Sequence, residues 1–518
     1  MLKRLANCWF IPLFLAIAGV ALVNSSLTGD GYEYVLTMHA LAEHGTPEIT
    51  QGDVASLHRS AGSVPFYAVT LGDLMPYLQE HLRAPSKTPA FTYTITPNEA
   101  GRFYGIHFGL YSLLALPFYV LLKPLGGFPH YALTLLNLSF CLGACLYLRR
   151  AIPRTGAIAA LAMLLFLLSG TTFYLSWTGP EVLTASCVLI ACVATLRGQA
   201  GLAILFAGLA ASQNPPIFLM IPFAIAYRVL IVRYPRLQWP DCVAAAPDRR
   251  ELLLAAAGVL LTLAPYVFFQ YTFGTPSVIA RDFNDTTFIT GARLFSLFFD
   301  LDQGMIIGIP GVALALLLGL ALLPRPARGP WLVVFALFAG VVVLMALPAL
   351  STVNWNSGGV VMTRYSYWLG MPLLALALLA ARQLPPRSGQ ALLFTAALLQ
   401  ALLLASTGLL GGKTIYTEHS LPARWVLSHF PRLYNPEAEI FHARTEKAVT
   451  LPLPKDSIPV FRADGKPVKI MRHRSNRAAP AGLCAPGEEL AGQYVRPVSR
   501  EWEYLHAPFS CVARSSAP

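Results

Sequence analysis

Apolar residues fill this chain in blocks of about 20, the length that crosses a hydrocarbon core of about 30 Å. The blocks stand near Cys8–Val23, Tyr104–Leu122, Tyr131–Leu148, Gly156–Trp177, Val182–Leu196, Gly201–Leu230, Leu252–Tyr271, Met305–Leu323, Trp331–Leu350, Ser366–Ala381 and Ala391–Leu410. The pattern predicts about 11 transmembrane segments, some short or broken. Residues 24–103 interrupt it with a long polar stretch, too long for an idle connection. That stretch opens with a helix-like run, Tyr32–His44, whose Val35, Leu36, Met38, Leu41 and Ala42 share roughly one face. Gly45-Thr46-Pro47 stops the run. Val64–Leu82 is a second amphipathic candidate, and Phe91–Ile95 looks extended. Beyond Gly411 the chain turns polar, and strand-like Ile458–Phe461 and Val468–Met471 flank Asp464-Gly465, a hairpin signal. The expected fold is an all-α polytopic membrane domain, 1–411, with amphipathic helices in a large first external loop, 24–103. A small β-containing soluble domain, 412–518, follows it.

Composition agrees: 55% of residues are hydrophobic and 12% charged, where a soluble chain carries about 25% charged residues. No small-x-small cleavage site follows the first block, and Lys3 and Arg4 precede it, so it is expected to stay as a span with a cytoplasmic N-terminus. The formal net charge of +12 does not point to nucleic acid, because arginines such as Arg228, Arg233, Arg236, Arg249 and Arg250 sit in short loops between blocks. There they set topology and attract anionic membrane lipid.

From the middle of the chain onward, basic loops at 228–250, 325–328 and 382–387 fall on one side. Loops 273–302 and 351–361 and the C-terminal domain fall on the other. Earlier, parity fails: Arg149, Arg150 and Arg154 land outside unless one segment within 104–148 does not cross. Ser212-Gln213-Asn214-Pro215-Pro216 splits another block. Either two half-crossings bring Asn214 to the external face, or the helix is merely proline-kinked. No CxxC or zinc-like spacing occurs, and Cys484 and Cys511 share the polar tail, where a disulfide is plausible in an oxidising compartment.

Polar groups suited to chemistry collect at the ends of apolar blocks. Asp30 and Glu33 follow the first; Arg102, Tyr104 and His107 precede the second; Glu181, Asn214, Arg281, Arg364 and Tyr365 mark later ones. A carboxylate beside a membrane surface can take a proton from a hydroxyl acceptor, and an arginine can carry charge on a phosphate leaving group. Each has a plainer reading as well. Asp30 can cap the helix it precedes, Glu181 can complement a helix dipole, Arg364 can anchor at the interface with Tyr365 and Trp368, and His107 can be a packing residue. Asp300 and Asp302 are weak candidates for a divalent cation. No Walker A loop, GxSxG, HExxH or dinucleotide fingerprint is present.

Several stretches resemble segments of the GT-C glycosyltransferases, more narrowly the bacterial protein-mannosyltransferase and aminoarabinose-transferase type branch. They are TGDGYEYVLTMHALAEHG, GRFYGIHFGLYSLLALPFY, LSWTGPEVLTAS, LFFDLDQGMIIGIPGVALALLLGL and NWNSGGVVMTRYSYWLGMPLLALAL. The resemblance covers about residues 5–410. It implies a glycosyltransferase of a bacterial inner membrane that moves one sugar from a polyprenyl-phosphate (undecaprenyl-phosphate) donor. The acceptor would be an envelope lipid, glycan or protein on the periplasmic face. By position it makes Asp30 the catalytic carboxylate of an inverting displacement, with Glu33 as the alternative. Relatives often carry two adjacent acids, whereas Gly31 and Tyr32 separate these two. Arg102, Arg281 and Arg364 become candidates for the donor phosphate, and a divalent cation is left open. A lipid-linked-sugar flippase or transporter is the alternative from another class, weakened by the lack of an internal repeat.

Overall fold

The computed structural model describes residues 10–61, 65–66, 69–70, 76, 79–80, 82–83, 94–152, 156–239, 247–355, 362–407, 417–448, 453–476, 478–480, 482–485, 488–497 and 501–513. In chain order the elements used below begin with α1 (Phe10–Val23), α2 (Gly31–His44), α3 (Gln51–Ala61), β1 (Ile95–Pro97), β2 (Phe103–Gly105), α4 (Leu110–Leu122), α5 (His130–Ala151) and α6 (Gly156–Phe166). They continue with α7 (Glu181–Leu196), α8 (Ala200–Ala211), α9 (Met220–Arg233), α10 (Arg249–Phe273), α11 (Gly291–Phe299), α12 (Pro310–Leu322), α13 (Arg325–Leu350), α14 (Arg364–Gln383) and α15 (Pro386–Ser406). The tail holds α16 (Leu421–His429), α17 (Ala438–Thr445), β3 (Val460–Ala463), β4 (Lys466–His473), β5 (Glu488–Pro497) and β6 (Trp502–Ala513). Most of the expected second amphipathic segment, Val64–Leu82, and residues 91–93 of Phe91–Ile95 lie outside the described residues.

Among the described residues, six helical stretches are long and apolar enough to cross a membrane: His130–Ala151, Gly156–Tyr174, Pro215–Arg233, Arg249–Phe273, Arg325–Leu350 and Pro386–Ser406. Shorter apolar helices stand beside them, and the chain is a multi-pass membrane protein. It divides into two compact units. The first is Met1–Asn284, Ile309–Ala349 and Tyr367–Gly412; the second is Asp285–Gly308, Leu350–Ser366 and Lys413–Pro518.

The first unit has two ends. At one, Ser25 Oγ lies 2.6 Å from Thr134 Oγ1, Thr28 N–H donates to Thr178 Oγ1 at 3.0 Å, and Asn137 Nδ2 donates to the Trp177 and Gly179 carbonyls at 3.1 Å. The end of α1 and the starts of α2, α5 and α7 therefore meet there. At the other end, Trp239 N–H donates to the Leu196 carbonyl at 2.8 Å, and Arg228 reaches the Gly198 carbonyl and Glu251. The end of α7, the end of α9 and the start of α10 meet at this second place. Arg197, Arg228, Arg233, Arg236, Arg249 and Arg250 lie in or beside these helix ends.

This arrangement settles the parity failure. α4 runs beside α2 in parallel: Ser112 Oγ donates to the Tyr34 carbonyl at 2.9 Å, His39 Nδ1 is 2.7 Å from Tyr119 OH, and Lys123 pairs with Glu43. Tyr111, in the first turn of α4, also meets Leu133, in the first turn of α5. α5 thus begins at the end where α4 began, so α4, with 13 residues and about 20 Å long, is not a crossing. One face of α4 packs on α2 while Leu113, Val120 and Leu121 stay exposed, and Arg149 and Arg150 come to the arginine-rich end. The Gly201–Leu230 block is broken, not kinked. α8 stops at Ala211, a 3-10 turn spans Pro215–Leu219, and Asn214 Nδ2 donates to Thr184 Oγ1 in the first turn of α7 at 2.9 Å. The chain therefore reverses within this block.

In the second unit, β3-β4-β6-β5 form an antiparallel sheet. Asp464 and Gly465 both adopt positive φ (48° and 76°), as the tight hairpin between β3 and β4 demands. Tyr434, Phe441, Met471, Trp502 and Tyr504 pack with Ala423 and Leu427 of α16 as its core. Cys484 and Cys511 are joined in a disulfide. Arg293, from α11, donates to the Leu350 and Thr352 carbonyls at 2.9 and 2.6 Å and faces Glu437 and Glu439, binding the three chain segments together.

Candidate active site

α2 begins where α1 hands the chain to the polar loop. Asp30 occupies the position that caps α2, but its side chain makes no capping hydrogen bond. Of the two roles open to Asp30 from sequence, capping is therefore not performed. Gly45, at φ 72°, ends the helix as the sequence predicts.

One turn into α2, Glu33 is 1% exposed and holds two groups of a segment 74 residues away. Its Oε1 accepts from the His107 backbone N–H at 2.7 Å, and its Oε2 lies 2.7 Å from His107 Nδ1. Gly105 is what lets it in. A Cβ there would stand 2.4 Å from Glu33 Oε1, so any side chain would displace the carboxylate. The short β1–β2 hairpin, with Thr96 opposite Tyr104, fixes Gly105 and hence His107. The opposite side of α2 is set by Gly31, whose Cβ position falls 2.1 Å from Thr178 Oγ1. Thr94 donates twice to Tyr32 OH, each at 2.9 Å, pinning β1 to α2.

On its other edge the His107 ring faces Asp30, with Nε2 3.3 Å from Oδ2. Asp30 and His107 keep 19% and 22% side-chain exposure. The imidazole thus stands between two carboxylates, one sealed and one open to a reactant. A carboxylate can only accept, so the Glu33 contact places a proton on His107 Nδ1 and turns Nε2 toward Asp30. The Tyr34 ring lies 5.8 Å from the imidazole and packs edge-on against Tyr111.

The remaining sequence candidates are dispersed. Arg102 is exposed and lies 3.8 Å from Glu48, a surface pair. Tyr104 is a packing residue, edge-on to Phe268 and Phe273 near the end of α10. Glu181 is buried at the start of α7, with Oε2 filling the space that a Cβ on Gly179 would take. Asn214 reaches the same helix one turn later, through Thr184. Arg281 is held by its neighbour Asp282 through two hydrogen bonds of 2.7 and 2.9 Å, so its charge is already matched. Arg364 and Tyr365 belong to the second unit, where Tyr365 OH meets Thr352 Oγ1 at 3.2 Å. Sequence reasoning did not single out Thr28, Thr178, Tyr34 or Asn137. Thr178 lies in LSWTGPEVLTAS, but nothing in its type marks it.

Asp300 and Asp302 meet donors from the protein itself. Asp302 Oδ1 accepts from Ser420 N–H at 2.7 Å, and Oδ2 lies 2.8 Å from His419 Nδ1 and 2.9 Å from Tyr434 OH. Asp300 Oδ1 accepts from Asp302 N–H, Gln303 N–H and Tyr434 OH. Three of the four carboxylate oxygens are thus met by protein donors. Burial, and then the neighbouring Asp302 charge, push Asp300 up to about 7. Burial works on Asp302 too, but His419 and Arg444 outweigh it and hold that carboxyl below its ordinary value. Among the described residues the one cluster with ligand-like spacing is Cys484, Glu488 and Cys511, and its sulfurs are in the disulfide.

No protein-family model matches the chain, and no curated protein matches it. Among solved structures, the chain is similar to the crystal structure of ArnT from Cupriavidus metallidurans bound to undecaprenyl phosphate. That similarity has a TM-score of 0.42 and 16% identity, over 80% of this chain and 67% of that one.

Proposed function

We propose that this chain is an inner-membrane glycosyltransferase that transfers one sugar from a polyprenyl-phosphate donor to a hydroxyl acceptor of the cell envelope, with Asp30 as base. The observation that carries the reading is the division of labour between the two acids. Glu33 is consumed by two hydrogen bonds and sealed from solvent, while Asp30 leaves its capping task undone and stays accessible beside His107. In the reaction, Asp30 takes the proton of the acceptor hydroxyl, the acceptor oxygen bonds the anomeric carbon from the face opposite the donor, and polyprenyl phosphate leaves with the bonding electron pair. α2 and α4, lying side by side at the end away from the arginines, suit a site that meets a lipid-borne donor in the headgroup layer. That end would face the periplasm if the arginine-rich end is cytoplasmic.

The test is transfer of radiolabelled sugar from a panel of polyprenyl-phosphate donors in proteoliposomes, wild type beside Asp30→Asn. Transfer that stops in the variant supports the reading. Movement of lipid-linked sugar across the bilayer without turnover would replace it with a flippase, which the broken Ser212–Leu219 stretch would suit.

A further inference from the structure

Resting on that reading, we propose that Glu33 and His107 form a proton relay behind Asp30, in which His107 Nε2 receives the proton that Asp30 has taken from the acceptor hydroxyl. The geometry has three parts. Glu33 fixes the ring by binding both the Nδ1–H and the backbone N–H of His107 at 2.7 Å, so the imidazole can neither flip nor swing away. Nε2 is aimed at Asp30 Oδ2 across 3.3 Å, a gap that is attractive only when a proton lies in it. Glu33 is buried, where salt screens a charge pair less than it does at the surface. Among the described residues, titratable groups set against the ring include Asp30 and Glu33 from the α2 side and the Tyr34 ring at 5.8 Å. Arg102, five residues earlier, is turned to Glu48.

The steps balance. The acceptor O–H bond breaks as the O–H bond on Asp30 forms, while the new glycosidic bond replaces the sugar–phosphate bond. The Asp30 O–H bond then breaks as N–H forms on Nε2, leaving an aspartate and an imidazolium flanked by two carboxylates. Water removes the Nε2 proton and returns the neutral ring. Asp30 is thereby reset without carrying its proton through product release. His107 acts through Asp30 and is a positioning and relay residue; the catalytic residue is Asp30.

The experiment is the pH dependence of kcat in proteoliposomes for wild type, His107→Gln and His107→Ala. Gln keeps hydrogen-bonding groups toward both acids but cannot take up a proton. His107→Gln should lower kcat on the order of 10²-fold, leave KM for the donor unchanged, and remove one ionisation from the kcat profile. His107→Ala should regain activity with added imidazole, in proportion to its neutral form. A His107→Gln enzyme with the wild-type profile, a loss confined to KM, or an Ala variant that melts like wild type yet ignores imidazole would each overturn the relay. Should both variants fail to fold, Glu33→Gln decides: with the charge removed, the His107 ionisation should move to lower pH, and an unmoved ionisation rejects the relay. The two readings fail differently. No transfer by wild type rejects the glycosyltransferase, whereas wild-type transfer lost in Asp30→Asn but intact in His107→Gln rejects the relay alone.

Discussion

Two acid–histidine clusters in this molecule are built from nearly the same parts. In the first unit, Asp30 and Glu33 meet His107; in the second, Asp300 and Asp302 meet His419. Each has a carboxylate 2.7–2.8 Å from a histidine Nδ1. What separates them is exposure, since Asp30 keeps 19% of its side chain accessible whereas Asp300 and Asp302 are buried. Asp302 faces His419, Tyr434, Ser420 and Arg444, and Asp300 takes two backbone N–H groups and the same tyrosine, with both acids buried. Such a cluster spends its lone pairs on holding chain segments together. At the first cluster, Glu33 is treated that way, while Asp30 keeps 19% side-chain exposure beside His107. A carboxylate becomes available for proton transfer when the fold satisfies its neighbour and leaves it accessible, which residue types and spacing alone do not reveal.

The comparison can be broken by experiment. The largest effect should come from Asp30→Asn: transfer falls on the order of 10³-fold or more, with the melting temperature essentially unchanged. Equal loss of both would make Asp30 structural. The opposite outcome is expected for Asp302→Ala, which removes the carboxylate that His419 and Arg444 face and should destabilise the second unit by about 3–5 kcal/mol, read as protease sensitivity of the β3–β6 sheet. A smaller effect should follow Gly105→Ala. Its Cβ collides with Glu33 and should cost about 1–3 kcal/mol, with activity lost through a displaced His107; unchanged activity would show that the clamp is not needed.

The finest test is pH. Asp300, pushed up to about 7, keeps a proton in the folded unit that an unfolded chain has released. Between about pH 4 and pH 7 the folded state thus binds more protons, and stability should fall as pH rises through that window. Asp302, shifted down, acts in the other direction, its contribution being lost as pH falls below the ordinary carboxylate range. Asp300→Asn should flatten the first slope in pH-dependent thermal unfolding. An unaltered slope would assign it to another group.

Local features were legible in the sequence. The helix over Tyr32–His44, its Gly45 stop and the Asp464-Gly465 hairpin all follow from short-range patterns, and all are present. Apolar content also located the helical blocks, but it carries no direction. Nothing in Leu110–Leu122 distinguishes a helix packed along α2 from one that crosses, so the parity clue from Arg149 and Arg150 was the better guide. The proline pair at 215–216 marked a break without saying that the chain reverses there. At the candidate site, Asp30, Glu33 and His107 were each visible, but the contact joining them spans 74 residues. The partners of Asp300 and Asp302 were hidden for the same reason: their donors arrive from Ser420 and Tyr434, more than a hundred residues later.

That last separation bears on how the protein is made. Asp302 finds its Ser420 partner 118 residues downstream, after α12, α13, α14 and α15 have been synthesised. During synthesis the segment Asp285–Gly308 must wait, its acids hydrated, until the tail has emerged and folded over its sheet. Removing residues after Lys413 would therefore not trim a separate module. It would strand two buried aspartates whose only settled environment is one that the ribosome delivers last.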